Sequence, residues 1–271
     1  MLYIVPCSGL ANRMRAIASG VTLARETARV PVVIWHPDSG LNARFGDIFG
    51  TEDLPFRLIE PSMLPFVTRY EIPRKKNLYI SAIINGFSKR RQFVIDYDLD
   101  QDELLQMVNQ TSGDVIINSP LEFYNFKDDL LERLFRPSVQ VVERINAIKD
   151  GHNPRVAVQI RRTDNIKSIA ESPVEMFEKI ITQWIDRDPE VKIFVATDDQ
   201  KIKNLLYNKY RANIIVNPVE ATRKTREGIV DAAAELFIMS EVEVVYGSYW
   251  STFSEIASRL GRNKLVVVRK N

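Results

Sequence analysis

The chain alternates short apolar runs with longer stretches of helical spacing, and the alternation is cleanest in its second half. Val156-Ala157-Val158-Gln159-Ile160, Val191 to Ala196, Asn213 to Val216, Val242 to Tyr246 and Lys264 to Val268 are β-branched runs bounded by polar residues. That is the pattern of buried strands. Between them, apolar residues at helical spacing run from Val174 to Trp184, from Asp199 to Tyr210, from Gly228 to Ser240 and onward from Ser251. Ser172-Pro173-Val174-Glu175 predicts a helix start with serine at the N-cap, proline at N1 and glutamate at N3; Thr252 and Glu255 are spaced as a capping box. A β-α-β-α-β order of this kind predicts a parallel sheet covered by helices on both faces.

The first half is less regular. Leu2 to Val5, Val32 to Trp35 and Asp114 to Asn118 predict strands, and Met14, Ile17, Ala18, Val21 and Ala24 mark a helix over 11–25. Pro6-Cys7-Ser8-Gly9 is turn chemistry, with Gly9 free to take positive φ. Residues 44–75 carry Pro55, Pro61, Pro65 and Pro73 and read as loops and short elements. Asn125 to Ile148 reads as mainly helical, interrupted at Pro137, and Lys149 to Pro154 as a helix stop and hinge. The expectation is two α/β domains, residues 1–150 and 151–271.

Composition narrows the function classes. At 271 residues with 45% hydrophobic content, the chain suits two small domains with proper cores. A net charge of +2 argues against a nucleic-acid binder, and Arg74-Lys75-Lys76 and Lys89-Arg90-Arg91 read as solvated loop charges. Cys7 is the only cysteine and His36 and His152 the only histidines, so no thiolate or histidine-based metal site is expected. The acidic run Asp96 to Asp102 lacks the glycine and glutamate of a calcium loop. No signal peptide and no apolar run near the ~20 residues of a membrane span is visible, so the expectation is a soluble, by default cytoplasmic protein without a transmembrane segment.

Candidate chemistry gathers at strand ends, where open α/β sheets hold their ligands. Arg161 and Arg162 follow the strand at 156–160, and alternation lets only one face the crevice. A guanidinium there suits a diphosphate; an ion pair with aspartate is the simpler alternative. Asp198-Asp199 ends the next strand, as a helix cap or a site pair. Ser251-Thr252 opens a helix, as a cap or a phosphate site. Glu235 sits mid-helix among alanines, leucine and phenylalanine, so it is either at a solvated edge or bound to something. The turn at Gly9 offers backbone N–H groups to an anion or is an ordinary βα turn, and it is not a dinucleotide fingerprint. His36 ends a strand, as a cleft residue or a structural one.

Taken together, Ile160-Arg161-Arg162-Thr163-Asp164, Phe194 to Asp199, Glu235 to Ser240 and Ser251-Thr252-Phe253-Ser254 resemble the three C-terminal motifs of the fucosyltransferase superfamily. The α-1,6- and α-1,2-enzymes and the protein O-fucosyltransferases belong to it. The likeness covers roughly residues 156–260, and Gly9 to Met14 is similar to a glycine-asparagine motif that opens several of these enzymes. The resemblance implies a GT-B-like fold of two Rossmann-like domains, with the acceptor side in 1–150 and the nucleotide-sugar site in 151–271. It implies metal-independent, inverting transfer of fucose from GDP-fucose, or a related nucleotide sugar, to a glycan acceptor, with no further cofactor. By that likeness Arg161 holds the donor diphosphate, Glu235 reads the guanine, Thr252, Phe253 and Ser254 with Ser251 form the phosphate side, and Asp198 lies in the second motif. Gly9, Asn12 and Gln159 complete the donor-side set, with Asp164 or Glu171 as the base. The chain departs from the family in having Gln159 where histidine is usual and Asn165 where the most similar enzymes have lysine. Both departures also fit a non-catalytic nucleotide-sugar or glycan-binding protein, and a transferase of another nucleotide sugar would keep the phosphate site.

Overall fold

The computed structural model describes residues 1–270 apart from Asp98, Asp164 and Asn165, and they form two compact units. The first comprises Met1–Gly46 and Thr51–Arg136, the second Asp47–Gly50 and Pro137–Asn271. Each holds one five-stranded sheet, and every strand pairing is parallel. The α/β class with two parallel sheets flanked by helices is therefore as the alternation predicts.

The first unit runs β1 (Leu2–Pro6), α1 (Leu10–Glu26), β2 (Pro31–Ile34), α2 (Phe45–Ile48, of which Asp47 and Ile48 count with the second unit), β3 (Arg57–Ile59), α3 (Met63–Arg69), α4 (Ile80–Phe87), β4 (Arg91–Val94), α5 (Gln101–Asn109), β5 (Val115–Ser119) and α6 (Asp129–Leu134). Its strand order is β3-β2-β1-β5-β4. The central strands are apolar on both faces because both are covered. Helix α1 lies so close to β1 that a Cβ at Gly20 would stand 2.4 Å from Ile4 Cγ1. Strands β3 and β4 were not expected: they are three- and four-residue edge strands, half-exposed, and carry little apolar pattern. Asp100 caps α5, accepting from the Glu103 N–H at 3.0 Å, which gives the acidic run a structural use.

The second unit runs α7 (Val139–Lys149), β6 (Val156–Ile160), α8 (Ile166–Glu171), α9 (Val174–Arg187), β7 (Ile193–Thr197), α10 (Gln200–Lys209), β8 (Ile214–Val216), α11 (Arg226–Ser240), β9 (Val244–Ser248), α12 (Thr252–Gly261) and β10 (Lys264–Val268). Helix α7 packs on α11, so it belongs here although the sequence pattern placed it before the break. The order β10-β9-β6-β7-β8 means the chain winds outward to β8, then returns to the other side of β6. The reversal between β6 and β9 is a topological switch point, and its carboxyl end is where such sheets bind ligands. Val156, Val158, Ile160, Ile193, Val195 and Ile214 form one buried face with Phe177 and Ile181 of α9 and Leu206 of α10. Helix α12 covers β9 and β10, and α11 packs on β7.

Two helix starts differ from the sequence pattern. Pro173, not Ser172, occupies the N-cap of α9; the Ser172 hydroxyl instead donates to Val268 O at 2.6 Å and accepts from Tyr249 N–H at 2.8 Å. Thr252 is the first residue of α12 rather than its cap, and Ser251 at the N-cap makes no side-chain capping bond. Among the described residues, no helix is long and apolar enough to cross a membrane.

Candidate functional site

The carboxyl ends of β6 and β9 are tied by one hydroxyl. Ser248 Oγ donates to Gln159 O at 3.1 Å and accepts from Arg161 N–H at 3.0 Å. This fixes the point where β6 ends and Arg161 begins. A serine at this place is invisible to periodicity, since both its bonds are tertiary.

Arg161 and Arg162 part company here. The Arg161 Nε stands 3.3 Å from Asp198 Oδ2, and both side chains keep about a fifth of their surface open, 20% and 19%. Arg162 turns the other way, as strand alternation requires. Its Nη1 donates to Ile169 O at 3.1 Å and its Nη2 to Ser172 O, so it anchors α8 and the turn after it. Burial lowers the Arg162 pKa, opposed by Glu175, Asp198 and Asp199. Asp198 organises the whole exit loop: Oδ1 accepts from Arg162 N–H at 2.6 Å and Oδ2 from the Thr163 hydroxyl at 2.7 Å. The two aspartates split their roles, because Asp199 is the true cap of α10, accepting from Lys201 and Ile202 N–H at 2.8 and 3.2 Å. Gln159 is buried and its Oε1 has no partner among the described residues. Glu171 closes α8, and its carbonyl accepts from Lys270 N–H at 2.8 Å. Asp164, the other candidate base, lies outside the described residues.

Helix α12 starts beside this loop. Ser251 N–H donates to Ser248 O at 3.2 Å, so the helix N-terminus is held against the end of β9. Gly247 makes that closeness possible: a Cβ there would lie 2.2 Å from Ser254 Oγ. The first-turn N–H groups at Thr252, Phe253 and Ser254 have no side-chain cap, which leaves the positive end of the helix dipole at the switch point.

Deeper along the same sheet end, Glu235 of α11 is buried. Burial pushes its carboxyl up to about 7; Lys203 and a hydrogen bond from Asn217 pull it down, while Asp231 and Asp198 push it further up. Lys203 is itself buried on α10, its ammonium donating to Val219 O at 2.7 Å. Asn217 at the end of β8 accepts from Val219 N–H at 3.2 Å. Asp231, one turn before Glu235, stands 2.7 Å from Arg144 Nε, an ion pair without the alignment of a directed hydrogen bond. Glu235 is thus neither at a solvated edge nor alone. Sequence reasoning missed Lys203, although its spacing with Ile202 and Leu206 put a lysine on the inner stripe of α10.

The remaining donor-side candidates, Gly9 and Asn12, are in the first unit. Gly9 has φ −74°, and the left-handed residue of the turn is Ser8 at φ 71°, so the glycine's freedom is not used as expected. Asn12 Nδ2 donates to Ser8 Oγ at 3.1 Å while its Oδ1 is buried without a partner among the described residues. Arg13, unmarked in the sequence, is fully buried: it donates to Ser8 O at 3.0 Å and His36 O at 2.8 Å, and lies over the Trp35 ring. These bonds bring the ends of β1 and β2 round a cavity of about 470 Å³ lined by Cys7, Ser8, His36, Asp38 and Phe66 among others. His36 Nδ1 is 3.1 Å from Pro61 O, and its ring stacks on Phe66. Among the described residues there is no cluster of three His, Cys, Asp or Glu side chains able to hold a metal ion.

No family model matches the chain, and no curated protein matches it by sequence. Solved structures do. The NodZ α-1,6-fucosyltransferase soaked with GDP-fucose, a protein known from Bradyrhizobium, aligns over 96% of this chain and 91% of its own, with TM-score 0.65 and 16% identity. A variant of Arabidopsis thaliana FUT1 in complex with GDP aligns over 100% of this chain and 70% of its own, with TM-score 0.64 and 16% identity. POFUT1 in complex with GDP aligns over 98% and 97%, with TM-score 0.57 and 15% identity. The chain therefore has the two-sheet α/β fold of these fucosyltransferase structures.

Proposed function

We propose that the protein is a glycosyltransferase that moves fucose from GDP-fucose to a glycan or glycoconjugate, with inversion and without a metal ion. The observation that carries this reading is Ser248 at the end of β9: its hydroxyl accepts from the Arg161 backbone N–H and its carbonyl from the Ser251 N–H, so Arg161 and the uncapped start of α12 both begin at one switch point. In this reading the second unit takes the donor and the first unit, with its cavity beside His36, takes the acceptor. The acceptor hydroxyl attacks the anomeric carbon, the bond to the β-phosphate oxygen breaks, and GDP leaves carrying the negative charge. Arg161 and the α12 N–H groups stabilise that charge as it grows, the work a metal does elsewhere. Asp198 holds Arg161 in place, and Glu235, ionised, accepts the guanine N–H groups with Asn217 and Lys203 as its supports. Asp164 or Glu171 takes the acceptor proton.

Gln159 favours a second reading, a nucleotide-sugar or glycan binder without turnover, because a glutamine cannot carry charge or move a proton. The test is incubation of the protein with GDP-fucose and a mixed glycan array in EDTA, followed by GDP release and mass spectrometry of the glycans. Fucosylated product that disappears in Arg161→Ala supports transfer. Nucleotide binding without any product supports the second reading.

A further inference from the structure

Helix α4 of the first unit is built inside out. Ser81 and Asn85 are its buried positions, and Asn77, in the turn that precedes it, continues the row at the same four-residue interval. Each donates a hydrogen bond: Asn77 Nδ2 to Ile72 O at 3.0 Å, Ser81 Oγ to Glu71 O at 2.7 Å, and Asn85 Nδ2 to Arg69 O at 3.0 Å, while Asn85 Oδ1 has no partner among the described residues. Apart from the half-buried Ile80 and Ile84, the large apolar positions face outward. Phe87 is 88% exposed, Leu78 73%, Ile83 55% and Tyr79 52%. Leu78 and Tyr79 also take left-handed backbone, φ 53° and 54°, a conformation that bulky residues rarely adopt. Amphipathic helices of globular proteins put the apolar stripe inward. A contiguous apolar face left in solvent marks a place where something docks.

The charge around the face identifies what docks. Residues 74–91 contain six Lys or Arg and no Asp or Glu. Arg74, Lys75 and Lys76 precede the helix and Lys89, Arg90 and Arg91 follow it, so basic side chains stand at both ends of an eight-residue rod of roughly 12 Å. Arg74 is paired with Glu71 and Arg90 lies 3.6 Å from Asp114, so the charge of the rim is carried by Lys75, Lys76, Lys89 and Arg91, all exposed. A second copy of the chain is a poor occupant, because a two-fold interface would set this basic rim against itself. Aromatic and aliphatic side chains flanked by Lys and Arg fit the headgroup region of an anionic bilayer, apolar face down and cations on phosphates.

We propose that the outward face of α4, with its basic rim, docks the protein on the surface of an anionic lipid membrane. The face is a peripheral contact and enters only the headgroup boundary. Two independent forces act: burial of Leu78, Tyr79, Ile83 and Phe87, and attraction of the rim, each cation contributing roughly a fivefold gain in binding. This does not depend on the reaction proposed above.

The experiment is co-sedimentation of the full chain with vesicles of phosphatidylcholine alone or with a third phosphatidylserine. Binding is expected to the anionic vesicles, to weaken in high salt, and to fall at least tenfold in Phe87→Asp and in the double variant Lys75→Glu/Lys76→Glu. Both variants change exposed residues, and unchanged thermal unfolding certifies their folding. No binding to anionic vesicles overturns the proposal, as does binding that Phe87→Asp leaves intact. A concentration-dependent dimer without vesicle binding, abolished by Phe87→Asp, would give the face to a second copy instead.

Discussion

Glu235 makes stability depend on pH in a direction opposite to that of an ordinary paired carboxylate. Its carboxyl is raised from 4.5 to about 7, with burial as the largest cause. The folded state therefore holds this proton more tightly than the unfolded chain. The stabilisation is fully present below about 4.5, declines as pH climbs, and is gone once the pH passes about 7. A rise of roughly 2.5 on the pH scale at 1.36 kcal/mol each amounts to about 3 kcal/mol. Glu235→Gln removes the titration and keeps the shape. Urea unfolding of both proteins at half-unit steps from pH 4.5 to 8 isolates the effect, since all other titrating groups cancel in the difference. The stability of the native protein relative to Glu235→Gln should fall by about 3 kcal/mol between pH 4.5 and 7 and then level off. A difference that stays flat, or one that rises with pH, would show that Lys203 and Asn217 hold Glu235 as an ordinary carboxylate and would refute the argument from burial.

If ionised Glu235 accepts guanine N–H groups, GDP affinity should drop as pH falls below 7, and Glu235→Gln should flatten that dependence; calorimetric titration at pH 5.5 and 8 checks it. Arg162→Ala should cost about 1–3 kcal/mol of stability, since it frees two carbonyls around α8, while Arg161→Ala should cost about 1 kcal/mol or less. Urea midpoints that rank the two the other way would reverse the assignment of which arginine anchors the fold. Gly247→Ala should lose about 1–3 kcal/mol through the clash with Ser254, and adding Ser254→Gly should recover much of it. No recovery would mean the close approach of α12 to β9 is not the source of the loss.

Much of the second unit was legible because its inner strands β6 and β7 are buried at every position and the strands around them are also rich in Val and Ile. Strands β3 and β4 were not, because half-exposed edge strands of three or four residues need no such run. Capping residues misled where tertiary contacts claimed them: the Ser172 hydroxyl holds Val268 and Tyr249 rather than a helix end. Helix α4 escaped notice because its polar residues are the buried ones, and its flanking charges read as plain loop charges. Within the candidate site, Arg161, Asp198 and Glu235 stood out as charges at strand ends or on an apolar helix. Ser248 and Asn217 carry no local signal, since their roles arise only from strands brought together by the fold.

The proposed donor site takes a guanine nucleotide on Arg161 without a metal. Calorimetric titration of the protein with GDP, UDP and ADP in EDTA tests it most directly, with Arg161→Ala alongside. GDP should bind at least tenfold more tightly than UDP or ADP, and Arg161→Ala should remove most of that affinity while its urea midpoint stays near the native one. Equal binding of all three nucleotides, GDP binding that needs a divalent ion, or an Arg161→Ala protein that binds GDP as well as the native chain would contradict it.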